Sequence, residues 1–398
     1  MKSLLKKHLI LVTASIALVG CSLEEAPTGN EELSNGHNEA TQEMVEEGVE
    51  QLRVSAVGDV IGHSGIYKAA DPNQTEEYNF DQMFDYVKPI FDESDLNLVN
   101  LETTLSAESS EYSGYPSFVT PKELIEGLDY AGFNGIVTAN NHSMDNLVKG
   151  AVQTVQWIEK QGLPAIGTSI DDDSERFYTE TINGIDVAIV AFTSFVNGQE
   201  TNWFTNEEMY QHINLLEEEI IEKEINAVKE TDPDIILAYA HWGEEYTSEL
   251  SEEQKHFAQV FAELGVDAVI GSHPHVIQEA EMITYEDHEM FIIYSVGNFL
   301  SNQRFESLGE AFRPTEDGVI VHLDFERLKD TDSVELTHVS FTPTWVQRNA
   351  IEGGRYEYTI LPAADSNVSD FSEDTRIRMK DSYDRTMERL KFSYSEKN

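Results

Sequence analysis

One cysteine, Cys21, is all the thiol chemistry in 398 residues, which excludes an internal disulfide and a cysteine-rich metal knuckle. Bases are equally scarce. The 26 lysines and arginines face 74 acids, a formal charge of −48, and a field of that sign repels nucleic acid and argues against an anionic membrane surface as a partner. Long hydrophobic runs are missing too: the apolar stretch from Leu9 to Val19 is too short to span a bilayer as a permanent helix. What remains is 40% apolar residues over a length that buries a large core.

The first residues read as a targeting segment. Lys2, Lys6 and Lys7 precede the apolar stretch, and Leu18-Val19-Gly20-Cys21 resembles the site at which bacterial lipoprotein precursors are lipidated and cleaved. The only thiol thus stands where a lipid would be attached. From Ser22 to Gln51 there are nine glutamates and no lysine or arginine, too little apolar area to offset the entropy of ordering, so this stretch reads as an acidic tether. The expected organisation is a leader over 1–20, lipidated Cys21 and tether over 21–51, a domain over 52–326, and a C-terminal strand-and-helix extension over 327–398 packed on it. The expected location is the outer face of the cell membrane.

Past Leu52, short apolar runs alternate with helical stretches. Strands are expected at Leu52–Gly58, Leu96–Leu101, Gly135–Ala139, Ile185–Phe192, Ile235–Tyr239, Ala268–Gly271, Phe291–Val296 and Val319–Phe325. Helices are expected at Asp81–Phe91, Pro121–Ala131, Lys149–Gln161, Asn206–Glu230, Glu252–Leu264 and Asp374–Leu390, with Pro121 in a first turn and Gly132 and Gly162 as stops. "VELTHVSFTPTWVQ" adds strand alternation near the end. The alternation favours a layered α/β fold, in which reactive groups gather at the carboxyl ends of strands.

Five of the twelve histidines fall there: His63, His142, His241, His273 and His275 each follow an expected strand. Asp59, Glu102, Asn140 and Asn141 accompany them. One such histidine is ordinarily a structural residue, but five leaving four strands toward one rim point to metal. In "SHPHV" the proline biases His273 toward extended backbone, where residues two apart project to one side, so both imidazoles are expected to face one point. Imidazole and carboxylate ligands without thiolate suit manganese, iron or zinc. One or two ions are expected, a pair lying roughly 3.5–4 Å apart.

"VSAVGDV", "LNLVNLETTL", "YPSFVTPKELIEGLDYAGFNGIVTANNHSMD", "AYAHWGEEY", "VDAVIGSHPHVIQ" and "FIIYSVGNFLS" resemble, in order, the motifs of the CapA family of capsule-synthesis proteins, associated with poly-γ-glutamate production. The family is similar in fold to the calcineurin-like metallophosphoesterases, which implies a four-layer αββα sandwich with mixed sheets. By matching position, the resemblance implies Asp59, His63, Glu102, Asn141, His241, His273 and His275 as metal ligands and His142 as the group that protonates a leaving group or holds a substrate oxygen. Asn140, Asp145 and Asn298 would orient imidazoles, and Tyr115 and Phe118 would wall a substrate groove. The chain departs from the pattern in placing three residues between Asp59 and His63, Glu102 where aspartate is common, and Val119 where a base is common.

Three functions compete. The first is a lipid-anchored subunit helping membrane polymer-synthase subunits make or export an anionic polymer. The second is a metal-dependent hydrolase of phosphoesters or of the polymer. The third is a non-catalytic module whose metal or ligand site only stabilises the fold.

Overall fold

The computed structural model describes residues 50–171, 174–198, 209, 211–365 and 371–392. The expected leader, Cys21 and the tether up to residue 49 lie outside the described residues. Glu50 and Gln51, read above as tether, belong to the fold: Gln51 opens the first strand opposite Glu326, and the Arg327 guanidinium holds Glu50 at 2.6 Å.

Two mixed sheets stack face to face. The first runs, edge to edge, β16 (Arg355–Pro362), β15 (Val334–Ile351), β14 (Asp317–Arg327), β1 (Gln51–Ile61), β2 (Leu96–Glu102), β5 (Gly135–Val137) and β6 (Ala165–Ile166), with β13 (Asn298–Leu300) pairing the far end of β1. The second runs β11 (Ala280–Tyr285), β12 (His288–Ile293), β10 (Ala268–Ser272), β9 (Ile235–His241), β8 (Ile185–Thr193) and β7 (Tyr178–Ile182). A small parallel pair, β3 (Thr104–Ser106) and β4 (Val119–Pro121), stands beside the first sheet's carboxyl ends. In the second sheet the central strands are parallel and both edge strands antiparallel, whereas the first is parallel from β1 through β2 and β5 to β6 and antiparallel from β1 through β14 and β15 to β16.

Side-chain alternation makes the layers. Ile235, Leu237 and Tyr239 of β9 pack into the core between the sheets with Leu96 and Leu98 of β2, whereas Ile236, Ala238 and Ala240 face the helices Glu218–Lys229 and Glu252–Glu263. Val99 and Leu101 likewise face outward onto helices Leu124–Ala131 and Leu147–Gln161. Ile221, Ile225 and Val228 recur at helical spacing on one buried face, each stabilising by about 1.5–3 kcal/mol. The order helix, sheet, sheet, helix is the expected four-layer sandwich. Among the described residues no helix is long and apolar enough to cross a membrane.

Several expected elements are corrected. Asp81–Phe91 is not one helix but a 3-10 turn at Asp81–Met83 and a four-residue helix at Lys88–Phe91, because Pro89 lacks the N–H that a helix interior requires. Pro121 ends β4, and its helix starts at Leu124. The helix expected over Asn206–Glu230 occupies Glu218–Lys229; residues 206–208 and 210 lie outside the described set, and Ile213 and Leu215 form bridges instead. Gly132 and Gly162 do stop their helices, at φ of 102° and 87°. Residues 327–392 add β15 and β16 to the first sheet and a helix, Glu373–Leu390, anchored by Arg378 on Glu316 and Arg385 on Asp317.

Candidate metal centre

The same alternation that builds the core delivers the polar groups. On β9 the inward series Ile235, Leu237, Tyr239 ends on His241; on β2 Leu96 and Leu98 continue to Asn100 and Glu102; on β10 Ala268 and Ile270 continue to Ser272. Asp59 needs an extra device. In β1, Leu52, Val54 and Ala56 face inward, so an unbroken strand would turn Asp59 outward. A register shift between Val57 and Asp59 inverts the parity, and Val60 then faces the outer core. Gly58 permits it, since a Cβ there would collide with the carbonyl of Gly297.

Ligand atoms of Asp59, Glu102 and His241 lie within 4.8 Å of one another, and all three residues are buried. Both carboxylate oxygens of Glu102 lack a hydrogen-bond partner, as does Nδ1 of His273. Burial, and then the charge of Asp59, hold the Glu102 carboxyl well above the usual carboxylate range. A fully buried carboxyl with no donor is costly unless a cation completes it. Burial lowers the His273 imidazole to about 3 and that of His241 well below its ordinary value, so both rings are neutral and available as ligands. Oxygen and imidazole donors of this kind fit a divalent ion.

The structure brings six of the seven expected ligands together. His275 Nδ1 lies 3.0 Å from Asp59 Oδ2 and 3.1 Å from Asn298 Oδ1, both acceptors, so it carries the proton and leaves Nε2 toward Glu102 at 3.8 Å. His241 Nε2 meets Asn141 Oδ1 at 2.9 Å, and the His241 and His273 rings lie 4.8 Å apart. His63 lies at the edge of this group, where burial and then His275 and His142 lower its imidazole to about 3. Its Nδ1 accepts the backbone N–H of Asn302 at 3.2 Å and its ring packs edge-on against Phe118.

His142 and Asp145 form a close pair. Nδ1 of His142 donates to Asp145 Oδ2 at 2.6 Å, the same oxygen that accepts the backbone N–H of Phe118, while Nε2 points at Glu102 from 3.7 Å. Burial raises the Asp145 carboxyl, opposed by its bond to His142. Asn140 accepts the His142 backbone N–H and donates to Asn100 and the Leu101 carbonyl. Phe118 is buried against His142 with ring centres 4.5 Å apart; Tyr115, 82% exposed, stands at the rim.

The route by which His273 and His275 converge differs from the extended segment expected. Both adopt left-handed backbone, at φ of 95° and 58°, around Pro274. Each such conformation costs about 1–3 kcal/mol for a non-glycine residue, strain of the kind that collects at functional sites. Sequence reading also missed Asn100, which donates to Asp59 Oδ1 at 2.8 Å, Ser272 at 2.9 Å from His241 Nδ1, and Asn197, whose amide contacts both Asn141 and His142. Asn100 sits two residues before Glu102 on one strand face, a signal period-two counting carries; Asn197 has no such signal.

A family model described as bacterial capsule synthesis protein PGA_cap matches residues 53–303. The PGA biosynthesis protein CapA of Bacillus subtilis (strain 168) is 27% identical over 308 residues, covering 76% of this chain and 75% of the relative. The capsule biosynthesis protein CapA of Bacillus anthracis is 26% identical over 263 residues, covering 64% and 61%. Among solved structures, the calcineurin-like phosphoesterase YfkN of Bacillus subtilis aligns with a TM-score of 0.44 at 13% identity, over 86% of this chain and 99% of that one. A phosphatase from Mycoplasma pneumoniae aligns at 0.41 and 16% identity, over 74% and 94%. Likeness at those scores bears on neither chemistry nor substrate.

Proposed function

The chain belongs to the family of bacterial capsule synthesis proteins PGA_cap, and from that premise we propose that it works outside the cell membrane, lipid-anchored through Cys21, in the synthesis or export of an anionic capsule polymer such as poly-γ-glutamate. Membrane polymer-synthase subunits are its partners in this reading. A divalent-metal centre is the working part, and the observation carrying it is the Glu102 carboxylate, fully buried with neither oxygen bonded.

Asp59, Glu102, Asn141, His241, His273 and His275 would hold one or two ions of manganese, iron or zinc. Such ions, when bound, supply a Lewis acid and a water of lowered pKa. Asp145 fixes the tautomer of His142 by accepting Nδ1–H, which leaves Nε2 to exchange a proton with a substrate oxygen beside Glu102. Asn140 pins the His142 backbone, and the Phe118 ring shields one side of the imidazole from water. The His142–Asp145 pair also favours a second reading, hydrolysis of the polymer or of a phosphoester by the same groups.

Complementation of a deletion strain tests the first reading. Wild type is expected to restore polymer, while Glu102→Ala and His142→Ala, at equal protein level, are expected to leave yield at least tenfold lower. Full yield from both variants would sink the role of this centre. For the second reading, purified protein loaded with manganese should shorten polymer or cleave a phosphoester panel, and no turnover on either rejects it.

A further inference from the structure

A groove of about 670 Å³ runs beside the helix Ser64–Ala70, within the size range of pockets that take small ligands. Four tyrosines line it: Tyr67 from that helix, Tyr78 from the loop after it, Tyr112 after the 3-10 turn Ser109–Glu111, and Tyr356 near the start of β16. We infer that the groove binds a neutral glycan, a short run of pyranose rings. Such a site stands apart from the metal centre and from the anionic polymer proposed above.

The charge of the groove favours no ion. Lys68 and Arg355 stand against Asp71 and Glu76, so the lining is neutral as a whole. Around it the field turns acidic: burial and then Asp71 raise the phenol of Tyr78, and burial and then Glu123 raise that of Tyr112. An anion would meet these carboxylates, and a cation would meet the Lys68 ammonium, which has no hydrogen-bond partner among the described residues.

What the groove leaves unfilled is donors and acceptors together. The hydroxyls of Ser109 and Ser110, the Gln74 amide and the four phenols have no partner among the described residues, and each both donates and accepts. Lys68 adds a donor and Glu76 an acceptor. Asp71 is already filled by the backbone N–H groups of Thr75 and Glu76, at 2.9 Å each, and Arg355 is partly spent on the carbonyls of Pro72 and Glu352. An apolar ligand would strand these groups, and a purely anionic one would match only the donors. A hydroxyl donates once and accepts twice, so a ligand bearing many hydroxyls matches the whole set. The free groups are side chains scattered over four segments, which suits a glycan better than the regular ladder of a peptide strand.

A pyranose also presents an apolar C–H face, and the rings supply its counterpart, since the negative face of an aromatic ring attracts polarised C–H bonds. Tyr78 meets Tyr112 edge to face at 5.6 Å and Tyr67 meets Tyr112 tilted at 6.0 Å, so no two of them are stacked flat. Arg348 lies 4.6 Å over one face of the Tyr356 ring, and the residue is 41% exposed, which leaves the opposite face to a ligand. The frame beneath is held together. Arg355 ties the start of β16 to the Pro72 carbonyl, and the Asn79 N–H closes the loop onto the Ala70 carbonyl at 2.9 Å.

The test titrates maltohexaose, cellohexaose and chitohexaose, each carrying a neutral fluorophore at its reducing end, into the full chain by anisotropy. A blocked hexapeptide of alternating glycine and serine runs beside them, and unlabelled γ-linked hexaglutamate serves as competitor. At least one hexasaccharide is expected to bind, and hexaglutamate is expected not to displace it. Tyr356→Ala should weaken that binding about tenfold and Tyr356→Phe less than twofold. Glu76→Gln and Lys68→Gln should each cost about threefold. Glu102→Ala should bind within twofold of wild type. Tyr356, Glu76 and Lys68 are exposed, so these variants keep the wild-type melting temperature. A hexasaccharide bound equally by wild type, Tyr356→Ala and Glu76→Gln would place it elsewhere and overturn the groove. Displacement by hexaglutamate overturns the neutral ligand, the hexapeptide bound through Tyr356 in place of any hexasaccharide overturns it in favour of a peptide, and no hexasaccharide bound overturns it outright. Failure of hexaglutamate to bind anywhere bears on the polymer reading alone.

Discussion

Glu316 and Glu102 are both buried carboxylates in the first sheet's neighbourhood, yet they teach opposite lessons. Glu316 receives Arg378 at 2.7 Å, Arg304 at 3.1 Å and the Trp345 indole N–H at 3.0 Å. Glu102 receives nothing. A buried carboxylate enclosed by donors is a scaffold, whereas a buried carboxyl held above the usual range beside another carboxylate and neutral imidazoles is a donor set that a cation fits.

Removing each in turn is the sharpest way to break the comparison. Glu316→Ala strands Arg304, itself 1% exposed, and should lower unfolding free energy by about 3–5 kcal/mol in urea titration. A loss under 1 kcal/mol would make the Arg304–Glu316–Arg378 group ornamental. Metal addition comes next. Manganese at a hundred times its dissociation constant should stabilise wild type by about 2.7 kcal/mol in thermal melts, and do nothing for Glu102→Ala or His241→Ala; an equal gain in all three would move the ion elsewhere.

A third contrast involves a histidine outside the centre. His322 bridges Ser55 at 2.7 Å and Thr342 at 3.0 Å, and burial holds it down to about 4. The unfolded chain binds the proton more readily, so this contribution is whole above pH 6.5 and disappears as pH falls from 6.5 to 4. Its size is on the order of 2–3 kcal/mol. His322→Gln should flatten the stability profile across that window, and an unchanged slope would assign the acid sensitivity to other groups. The smallest effect is expected at Glu102→Ala without metal: stability within about 1 kcal/mol of wild type, because no donor is left stranded. A large loss there would contradict the contrast with Glu316.

Much of the centre was legible because strand alternation is local: Glu102 and His241 end inward-facing series, and the CapA-like motifs placed Asn141, His142, His273 and His275. Asp59 was placed by its position past an expected strand end and by resemblance, although nothing in "SAVGDV" announces that Gly58 shifts the register. The backbone of "SHPHV" was misread because proline's bias toward extended geometry in the preceding residue yields to the cluster, which holds both histidines at positive φ. β7, β11 and β16 went unseen because they are edge strands with exposed polar positions that read as loop. Glu316 drew no notice, since its partners Arg304, Trp345 and Arg378 come from segments far apart in the chain.

The knot of Arg327 with Glu50 and Asp234 fixes the point at which the chain enters the fold, at the start of β1. Asp59 lies nine residues further along that strand, about 30 Å at an extended rise. The ion-paired start of β1 and the metal centre at its other end are thus held apart by the full length of one buried strand.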